Sequence, residues 1–271
     1  MYTLGFIGAG NMAEAIASAA ICTGVLSADR MIAADPSASR RNTFSQMGVT
    51  VTASNQELIA QSEQLILAIK PQIMPEATTD LAARMRNDQI VVSIMAGITT
   101  QKLHEAIRAG ADQPTRLVRA MPNTPLMIGC GMTGIALGPG AQQGDDDLAM
   151  ELFGTGNSIA IQVPESVLDA ITAVSGSGPA YLFYLAEAMQ RGAAELGLEQ
   201  HAEILVTQTL LGAAQLLSKS GNEPADLRRK VTSPGGTTEA AINHMEGNKT
   251  IDVIVNAIKA AEARSRKLGT N

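Results

Sequence analysis

The stretch Leu4–Ala13, LGFIGAGNMA, decides the fold. It starts as an apolar strand pattern, turns at Gly8-Ala9-Gly10 and continues at once as a helical pattern. Gly8 permits the tight turn, Gly10 lets the backbone approach a pyrophosphate, and Ala13 is small enough for close packing of helix on sheet. The first N–H groups of the helix point toward the same position. The stretch therefore predicts a dinucleotide-binding Rossmann turn.

The second apolar run ends in an acidic residue, Asp35, which bears on the choice of coenzyme. An acid at this position usually binds the 2′-hydroxyl of the adenosine ribose and favours NAD. Ser37, Ser39, Arg40 and Arg41 follow closely, and hydroxyls and arginines are suited to a 2′-phosphate. The two arginines are equally typical of a solvated helix face. The sequence leaves NADP(H) and NAD(H) both open.

Short apolar runs alternate with helical patterns over the first 163 residues. This alternation predicts an α/β fold, in which residues 1–163 form a Rossmann-type, mostly parallel sheet with helices on both faces. The predicted strands are Thr3–Ile7, Met31–Ala34, Val49–Thr52, Leu65–Ile69, Ile90–Ile94, Leu117–Met121, Ile135–Leu137 and Ser158–Val163.

After Pro164 the pattern becomes helical, which predicts a domain boundary and an all-helical domain over residues 164–271. Within it, Ala186–Ala194 and Thr207–Leu217 are apolar or small on more than one face, and such helices need cover. We therefore expect a homodimer formed through this domain. The predicted helices are Val167–Val174, Pro179–Leu196, Gln200–Ser218, Thr237–Met245 and Thr250–Leu268.

Three further strand ends carry residues suited to a coenzyme, because ligands of an open parallel sheet lie beyond the carboxyl ends of its strands. Lys70 and Pro71 follow the fourth run, although a surface lysine is the ordinary alternative. Ser93–Gly97 and Arg119–Pro125 end the next two runs and offer small residues and prolines for a rigid rim.

A second group of ligand-binding residues lies in Val231–Glu239, VTSPGGTTE, ahead of an apolar helical run. Its glycines free the backbone, its hydroxyls can donate, and the N–H groups of the new helix point into the same space. The pattern suits a receptor for a carboxylate or phosphate. An ordinary helix N-cap with a glycine turn is the alternative.

Composition narrows the class of protein. The net charge is −6, no basic tract occurs, and aromatic residues make up 3%, so nucleic acid is not an expected partner. Cys22 and Cys130 lack metal-ligand spacing, and the three histidines are scattered, so no metal site is predicted. No apolar run reaches the ~18 residues of a membrane helix, and no basic leader precedes the first strand. We expect a cytoplasmic protein.

With these motifs in view, the chain resembles the pyrroline-5-carboxylate reductase family over nearly its whole length. The first matching stretch is shared by many Rossmann proteins, whereas the last two, in this order and spacing, are specific to the family. The matching stretches are Phe6–Met12, Ala68–Gln72, Met121–Pro125, Ser175–Tyr181 and Val231–Thr238.

The resemblance implies that NADPH or NADH delivers hydride to C5 of the cyclic imine 1-pyrroline-5-carboxylate, giving L-proline in the last step of proline synthesis. Thr238 is expected to be the catalytic hydroxyl nearest the ring nitrogen. Substrate-binding positions are Val231, Ser233, Gly235, Gly236, Thr237 and Thr238. Cofactor-binding positions, with Asp35 included on its place in the motif, are Ile7, Gly8, Ala9, Gly10, Asn11, Met12, Ala13, Asp35, Asn55, Ala68, Ile69, Lys70, Pro71, Met95, Ala96 and Gly97.

The resemblance also implies interlocked dimers through the helical domain, which often assemble into larger rings such as decamers. Two other classes stay open. A β-hydroxyacid dehydrogenase shares the domain order but uses a helix lysine as acid, and here the first lysine after Val174 is Lys219. A redox-sensing dinucleotide-binding module has no need of a second pocket like Ser233–Thr238.

Overall fold

The computed structural model describes residues 1–107 and 115–270, in which strands and helices alternate before a purely helical part. The strands are β1 (Tyr2–Ile7), β2 (Met31–Ala34), β3 (Thr50–Thr52), β4 (Ser62–Leu67), β5 (Ile90–Ser93), β6 (Arg116–Met121), β7 (Met132–Leu137) and β8 (Ile159–Gln162). The α-helices are α1 (Asn11–Thr23), α2 (Ala38–Gln46), α3 (Asn55–Gln61), α4 (Met74–Arg84), α5 (Thr100–Ile107), α6 (Asp147–Phe153), α7 (Leu168–Ile171), α8 (Gly178–Glu195), α9 (Ala202–Ser220), α10 (Pro224–Lys230), α11 (Thr237–Gly247) and α12 (Thr250–Thr270).

The eight strands form one sheet in the order β3-β2-β1-β4-β5-β6-β7-β8. Every neighbouring pair is parallel except β6 and β7, which run antiparallel. The chain leaves β1 toward β2 and β3 and later returns to the other side of β1 with β4. The carboxyl ends of β1 and β4 therefore form the topological switch point at which such sheets bind ligands. The α/β fold class is confirmed.

Both faces of the sheet are buried, which explains why its strands appear in the sequence as continuous apolar runs. Successive residues of a strand point to opposite faces, so Phe6 and Ile66 belong to one core cluster, and Ile7 and Leu67 belong to the other. Both clusters consist mostly of aliphatic residues and alanine. Phe44 on α2 packs over β1, because its ring centroid lies 6.0 Å from that of Phe6.

The chain divides into two compact units. The first contains Met1–Ser177 together with a C-terminal segment that begins at Ala261, and the second is Gly178–Ala260. Residues 164–177 are thus compact with the sheet. The predicted domain boundary at 163/164 marks where strands give way to helices, and it stays a prediction.

A polar network fixes the C-terminal segment within the first unit. Arg119 on β6 is only 1% exposed, and its guanidinium lies 3.2 Å from the Glu165 carboxylate and 3.4 Å from that of Asp169. Glu165 also accepts a hydrogen bond from the backbone N–H of Thr100, at 2.7 Å. Asp169 accepts one from the hydroxyl of Ser265 on α12, also at 2.7 Å. The network thus links β6, the start of α5 and the last turns of α12.

The second unit exposes much of its apolar surface. Helices α8, α10 and α11 contain no buried residue, and Phe183 and Tyr184 on α8 are 64% and 76% exposed. Helix α10, Pro224–Lys230, is an element that the sequence patterns did not predict. Across residues 1–107 and 115–270, the search for a helix long and apolar enough to cross a membrane found none.

Candidate active site

The glycine turn after β1 is locked between two neighbouring strands. The Gly8 N–H donates to the Ala34 carbonyl of β2 at 2.8 Å, and the Ala68 N–H after β4 donates to the Ile7 carbonyl at 2.9 Å. Gly8 has a φ of +94°, and a Cβ there would lie 2.7 Å from the Ala68 carbonyl oxygen. Only glycine fits this position without displacing backbone.

Gly10, unlike Gly8, has free space beside its Cα. The nearest atom that a Cβ on Gly10 would meet is the Ala68 carbonyl oxygen, at 4.0 Å, so the protein itself leaves space beside this residue. Gly10 is also the N-cap of α1, and no side chain caps the helix in the described part of the chain. Ala13 is fully buried in the first turn. The helix therefore presents its positive end and uncapped N–H groups at an open position, as an anion site requires.

Asp35 lies at the end of β2, beside the glycine turn. Its Oδ2 accepts from the Ala9 N–H at 2.9 Å, and its Oδ1 accepts from the Ser37 N–H at 2.8 Å. Arg40 in turn donates to the Ala9 carbonyl and to Glu14, both at 2.6 Å. The glycine turn is thus tied to β2 and α2 by a carboxylate and a guanidinium.

Two adjoining cavities extend over the carboxyl ends of the strands, with volumes of about 310 and 460 Å³. They share Gly10, Ala68, Ile69 and Lys70, so together they form one groove across the switch point. The first cavity is also lined by Ile7, Gly8, Ala34, Asp35, Pro36, Asn55, Ile73, Glu76 and Ala77. The second is also lined by Asn11, Met12, Ile94, Met121 and Pro122.

The groove brings together most of the residues predicted to bind a coenzyme. Ala9 lies in the glycine turn and Ala13 lies on the buried face of α1, next to the groove residues. Pro71 starts the turn that follows Lys70. Met95, Ala96 and Gly97 line neither cavity; Met95 is 1% exposed. Their role as coenzyme contacts stays a prediction.

The groove also contains residues that the sequence patterns did not single out. Glu76 and Ala77 lie in the first turn of α4 and Ile73 directly precedes that helix, and Ala34 and Pro36 lie at the end of β2. Ile94, by contrast, belongs to the predicted rim Ser93–Gly97. The residues at the start of α4 could not be predicted, since no pattern in the sequence shows that this helix returns over the groove.

The rim beside Met121 is rigid. The Asn123 side-chain amide donates to the backbone carbonyl and the hydroxyl of Ser175, at 3.2 and 3.3 Å, and its oxygen accepts from the Met132 N–H at 2.9 Å. A Cβ on Gly176 would lie 3.0 Å from the Met121 methyl group. Two of the family-like stretches, Met121–Pro125 and Ser175–Tyr181, therefore meet at this rim.

The loop between α10 and α11, in the second unit, is a tight turn. The Gly236 N–H donates to the Ser233 carbonyl at 3.0 Å, and Gly235, after Pro234, has a φ of +68°. Proline followed by a positive-φ glycine is typical of a type II turn. The Gly235 N–H donates to the Glu239 carboxylate at 2.8 Å, so this backbone amide already binds an anionic group.

The hydroxyls of this loop remain available. In the part of the chain that the structure describes, the side chains of Ser233, Thr237 and Thr238 have no hydrogen-bond partner, whereas the Thr232 hydroxyl donates to the Arg228 carbonyl at 2.7 Å. Gly236 is the N-cap of α11, again with no capping side chain among the described residues. Val231 ends α10 with its side chain 62% exposed. The predicted substrate positions thus form one turn with uncommitted donors.

The sheet order and the glycine turn define the class of Rossmann dinucleotide-binding proteins. Residues 3–97 match the family described as "NADP oxidoreductase coenzyme F420-dependent", and residues 165–268 match "Pyrroline-5-carboxylate reductase dimerisation". The pyrroline-5-carboxylate reductase of Arabidopsis thaliana is 39% identical over 98% of this chain and 95% of its own length. That of Pseudomonas aeruginosa is 39% identical over 98% of this chain and 96% of its own.

Solved structures lead to the same result. A pyrroline-5-carboxylate reductase from Coxiella burnetii superposes with a TM-score of 0.87 at 33% identity, covering 98% of both chains. The Plasmodium falciparum pyrroline carboxylate reductase, solved with NADP bound, has a TM-score of 0.88 at 27% identity, covering 99% of this chain and 98% of its own. The chain belongs to the pyrroline-5-carboxylate reductase family.

Proposed function

We propose that this chain reduces 1-pyrroline-5-carboxylate to L-proline with a nicotinamide dinucleotide, the last step of proline biosynthesis. The observation that carries the proposal is the groove at the β1–β4 switch point, lined by the glycine turn and by Lys70, in a chain whose relatives are named as these reductases over their whole length. A β-hydroxyacid dehydrogenase and a redox-sensing module are the two alternatives that the assays below distinguish from it.

The groove residues fit a dinucleotide. The open side of Gly10 and the uncapped start of α1 would hold the pyrophosphate, and Lys70 lies close enough to the same groove to add a positive charge. Asp35 and Asn55 line the cavity nearest β2 and would hold the adenosine end, whereas Met121 lies at the other cavity. When bound, the nicotinamide supplies the hydride.

The Ser233–Thr238 turn would bind the substrate carboxylate. Its donors are neutral, namely the hydroxyls of Ser233, Thr237 and Thr238 and the N–H groups at the start of α11. Neutral donors suit this substrate because a protonated imine is cationic, and an arginine or lysine beside it would repel it. A protonated imine is also electrophilic already, so alignment rather than a strong general acid is what the protein must provide.

A coupled set of assays tests the activity. The purified protein is incubated with NADH or NADPH and either 1-pyrroline-5-carboxylate or a panel of small β-hydroxy acids with the oxidised coenzymes. We expect coenzyme oxidation with the imine and formation of L-proline, identified by chiral chromatography. Turnover of a hydroxy acid in its place would support the dehydrogenase class, and coenzyme binding without any turnover would support the redox-sensing module.

We further propose that the chain forms a homodimer through α8–α12 and that dimers assemble into a larger ring. Support comes from the match of residues 165–268 to a dimerisation family and from the exposed apolar side chains of α8 and α9. Analytical ultracentrifugation distinguishes a dimer from a ring such as a decamer. Exchange of Phe183 and Tyr184 for aspartate and serine is expected to yield smaller species, and a wild-type monomer would refute the dimer.

We place the protein in a reducing compartment such as the cytoplasm. Cys22 and Cys130 are both free and exposed, which suits a compartment that keeps thiols reduced. Localisation of a fluorescent fusion in the source cells, with a known cytoplasmic enzyme as the reference, tests this assignment.

A further inference from the structure

The end of β2 carries an anion where the coenzyme's adenosine ribose would bind, and this inference rests on the proposed function. The Asp35 carboxylate lines the first cavity and is half-buried. Two backbone amides, those of Ala9 and Ser37, hold it in place at 2.9 and 2.8 Å. A carboxylate that accepts from two backbone N–H groups cannot turn away without losing both bonds.

The neighbouring cations are already engaged. Arg40 donates from Nε to the Ala9 carbonyl and from Nη2 to the Glu14 carboxylate, both at 2.6 Å. Arg41 donates from Nη1 to the carbonyls of Asp35 and Pro36, at 2.7 and 2.9 Å. Asp35 and Glu14 balance the two arginines, so the four side chains together carry no net charge.

The hydroxyls of Ser37 and Ser39 are also bonded within this segment. The Ser37 and Ser39 hydroxyls lie 2.9 Å apart, and that of Ser37 accepts from the Arg40 N–H as the N-cap of α2. A 2′-phosphate at this position would meet the Asp35 carboxylate, whereas a 2′-hydroxyl can simply donate to that carboxylate.

We propose that Asp35 is the specificity-determining residue of the coenzyme site and that this chain prefers NADH to NADPH. The carboxylate accepts hydrogen bonds from the ribose hydroxyls of NADH and repels the 2′-phosphate of NADPH. Because NADPH loses a charge-assisted hydrogen bond and meets a like charge, we expect kcat/KM for NADH to exceed that for NADPH by at least about tenfold.

The test compares the two coenzymes in the wild-type protein and in Asp35→Asn. The asparagine keeps the size of the side chain and can still accept from one of the two backbone amides. We expect the NADH/NADPH ratio of kcat/KM to fall at least about tenfold, mainly through a lower KM for NADPH. A wild-type preference for NADPH, or an unchanged ratio in Asp35→Asn, would overturn the inference.

Glu76→Gln is the matched control, because it removes the same charge from the same cavity at an exposed position on α4. We expect the NADH/NADPH ratio of kcat/KM in Glu76→Gln to change by less than about fivefold, because exposed charges interact weakly. An equal shift of this ratio in Asp35→Asn and Glu76→Gln would show that the net charge of the cavity, and not a contact at Asp35, sets the preference. Asp35→Ser, which can donate to a phosphate, provides a second variant if Asp35→Asn folds poorly.

Binding of coenzyme fragments separates this inference from the proposed activity. ADP-ribose and 2′-phospho-ADP-ribose contain the adenosine end alone and are titrated calorimetrically without substrate. We expect the wild-type protein to bind ADP-ribose more tightly and Asp35→Asn to lose that difference. If imine reduction is absent but this binding pattern is present, the proposed reaction fails and the role of Asp35 stands.

Discussion

The guanidinium of Arg119 lies 3.2 Å from the Glu165 carboxylate inside the first unit, where the arginine is 1% exposed. A buried ion pair repays the cost of desolvation only while both partners are present. Arg119 also lies beside the Asp169 carboxylate. Glu165 accepts a hydrogen bond from the start of α5, and Asp169 accepts one from Ser265 on α12. The pair is therefore the centre of a junction between three parts of the chain.

Replacing Arg119 by leucine is expected to destabilise the protein by about 3–5 kcal/mol, because two part-buried carboxylates lose their cation. Urea denaturation followed by circular dichroism measures the loss. The control is Arg266→Leu, which removes an exposed pair with Glu262 and should cost below about 0.5 kcal/mol. Similar losses in the two variants would show that the buried network contributes little.

Gly10→Ala is expected to weaken coenzyme binding while leaving the stability of the fold almost unchanged. Gly10 has a φ of −72°, and the added Cβ meets no protein atom closer than 4.0 Å, so stability should change by less than about 1 kcal/mol. The same Cβ occupies the side from which a pyrophosphate approaches, so coenzyme affinity should fall at least about tenfold. Calorimetric titration with NAD⁺ and NADP⁺ checks this.

The counterpart of this variant is Gly24→Ala at the other end of α1. Gly24 has a φ of +74° and lines neither groove cavity, so the change should lower stability by about 1–2 kcal/mol and leave coenzyme affinity intact. If Gly10→Ala bound both coenzymes as well as wild type does, the glycine turn would not be the pyrophosphate site.

Gly97→Ala is expected to destabilise the protein more than Gly24→Ala does, by about 2–4 kcal/mol in total. The two glycines have nearly the same φ, +75° and +74°, so backbone strain is matched. They differ in space, because a Cβ on Gly97 would lie 2.6 Å from Leu268 Cβ and 2.8 Å from the Ser265 carbonyl. Equal urea denaturation midpoints for Gly97→Ala and Gly24→Ala would mean that the end of α12 moves aside at no cost.

Thr238→Ala is expected to lower kcat/KM for 1-pyrroline-5-carboxylate at least about tenfold, with coenzyme affinity little changed. The physical reason is the loss of an uncommitted hydroxyl at the start of α11. Thr209→Ala is the control, because its hydroxyl already donates to the Leu205 carbonyl within α9. Thr238→Ser should recover most of the rate, and an unchanged rate in Thr238→Ala would remove this residue from the mechanism.

The central strands could be predicted from the sequence because they are buried on both faces, as β2 and β5 are along their whole length. All eight predicted runs are strands, with ends that differ by a few residues; the fourth, for example, is Ser62–Leu67 rather than Leu65–Ile69. Ser62 is fully buried although polar, because its hydroxyl donates to the Leu58 carbonyl. A polar start of this kind has no hydrophobic signal.

Helix α10 was missed for a different reason. Its sequence, PADLRRK, has one large apolar residue in seven, so it lacks the periodicity that reveals a helix. The groove was predicted along the strand ends but not at α4, because the position of that helix depends on tertiary structure. The bond from the Ala9 N–H to Asp35 also depends on tertiary structure, whereas the bond from the Ser37 N–H is a local turn.

The first unit is discontinuous in sequence, because its last portion begins at Ala261, after the whole of the second unit. A ribosome makes the chain from the N-terminus, so Ser265 reaches Asp169 only after the whole of the second unit has been made. Until then the nascent Rossmann sheet lacks one partner of its buried arginine network. Synthesis of the whole second unit, rather than emergence of the eighth strand, must therefore come before this domain can close.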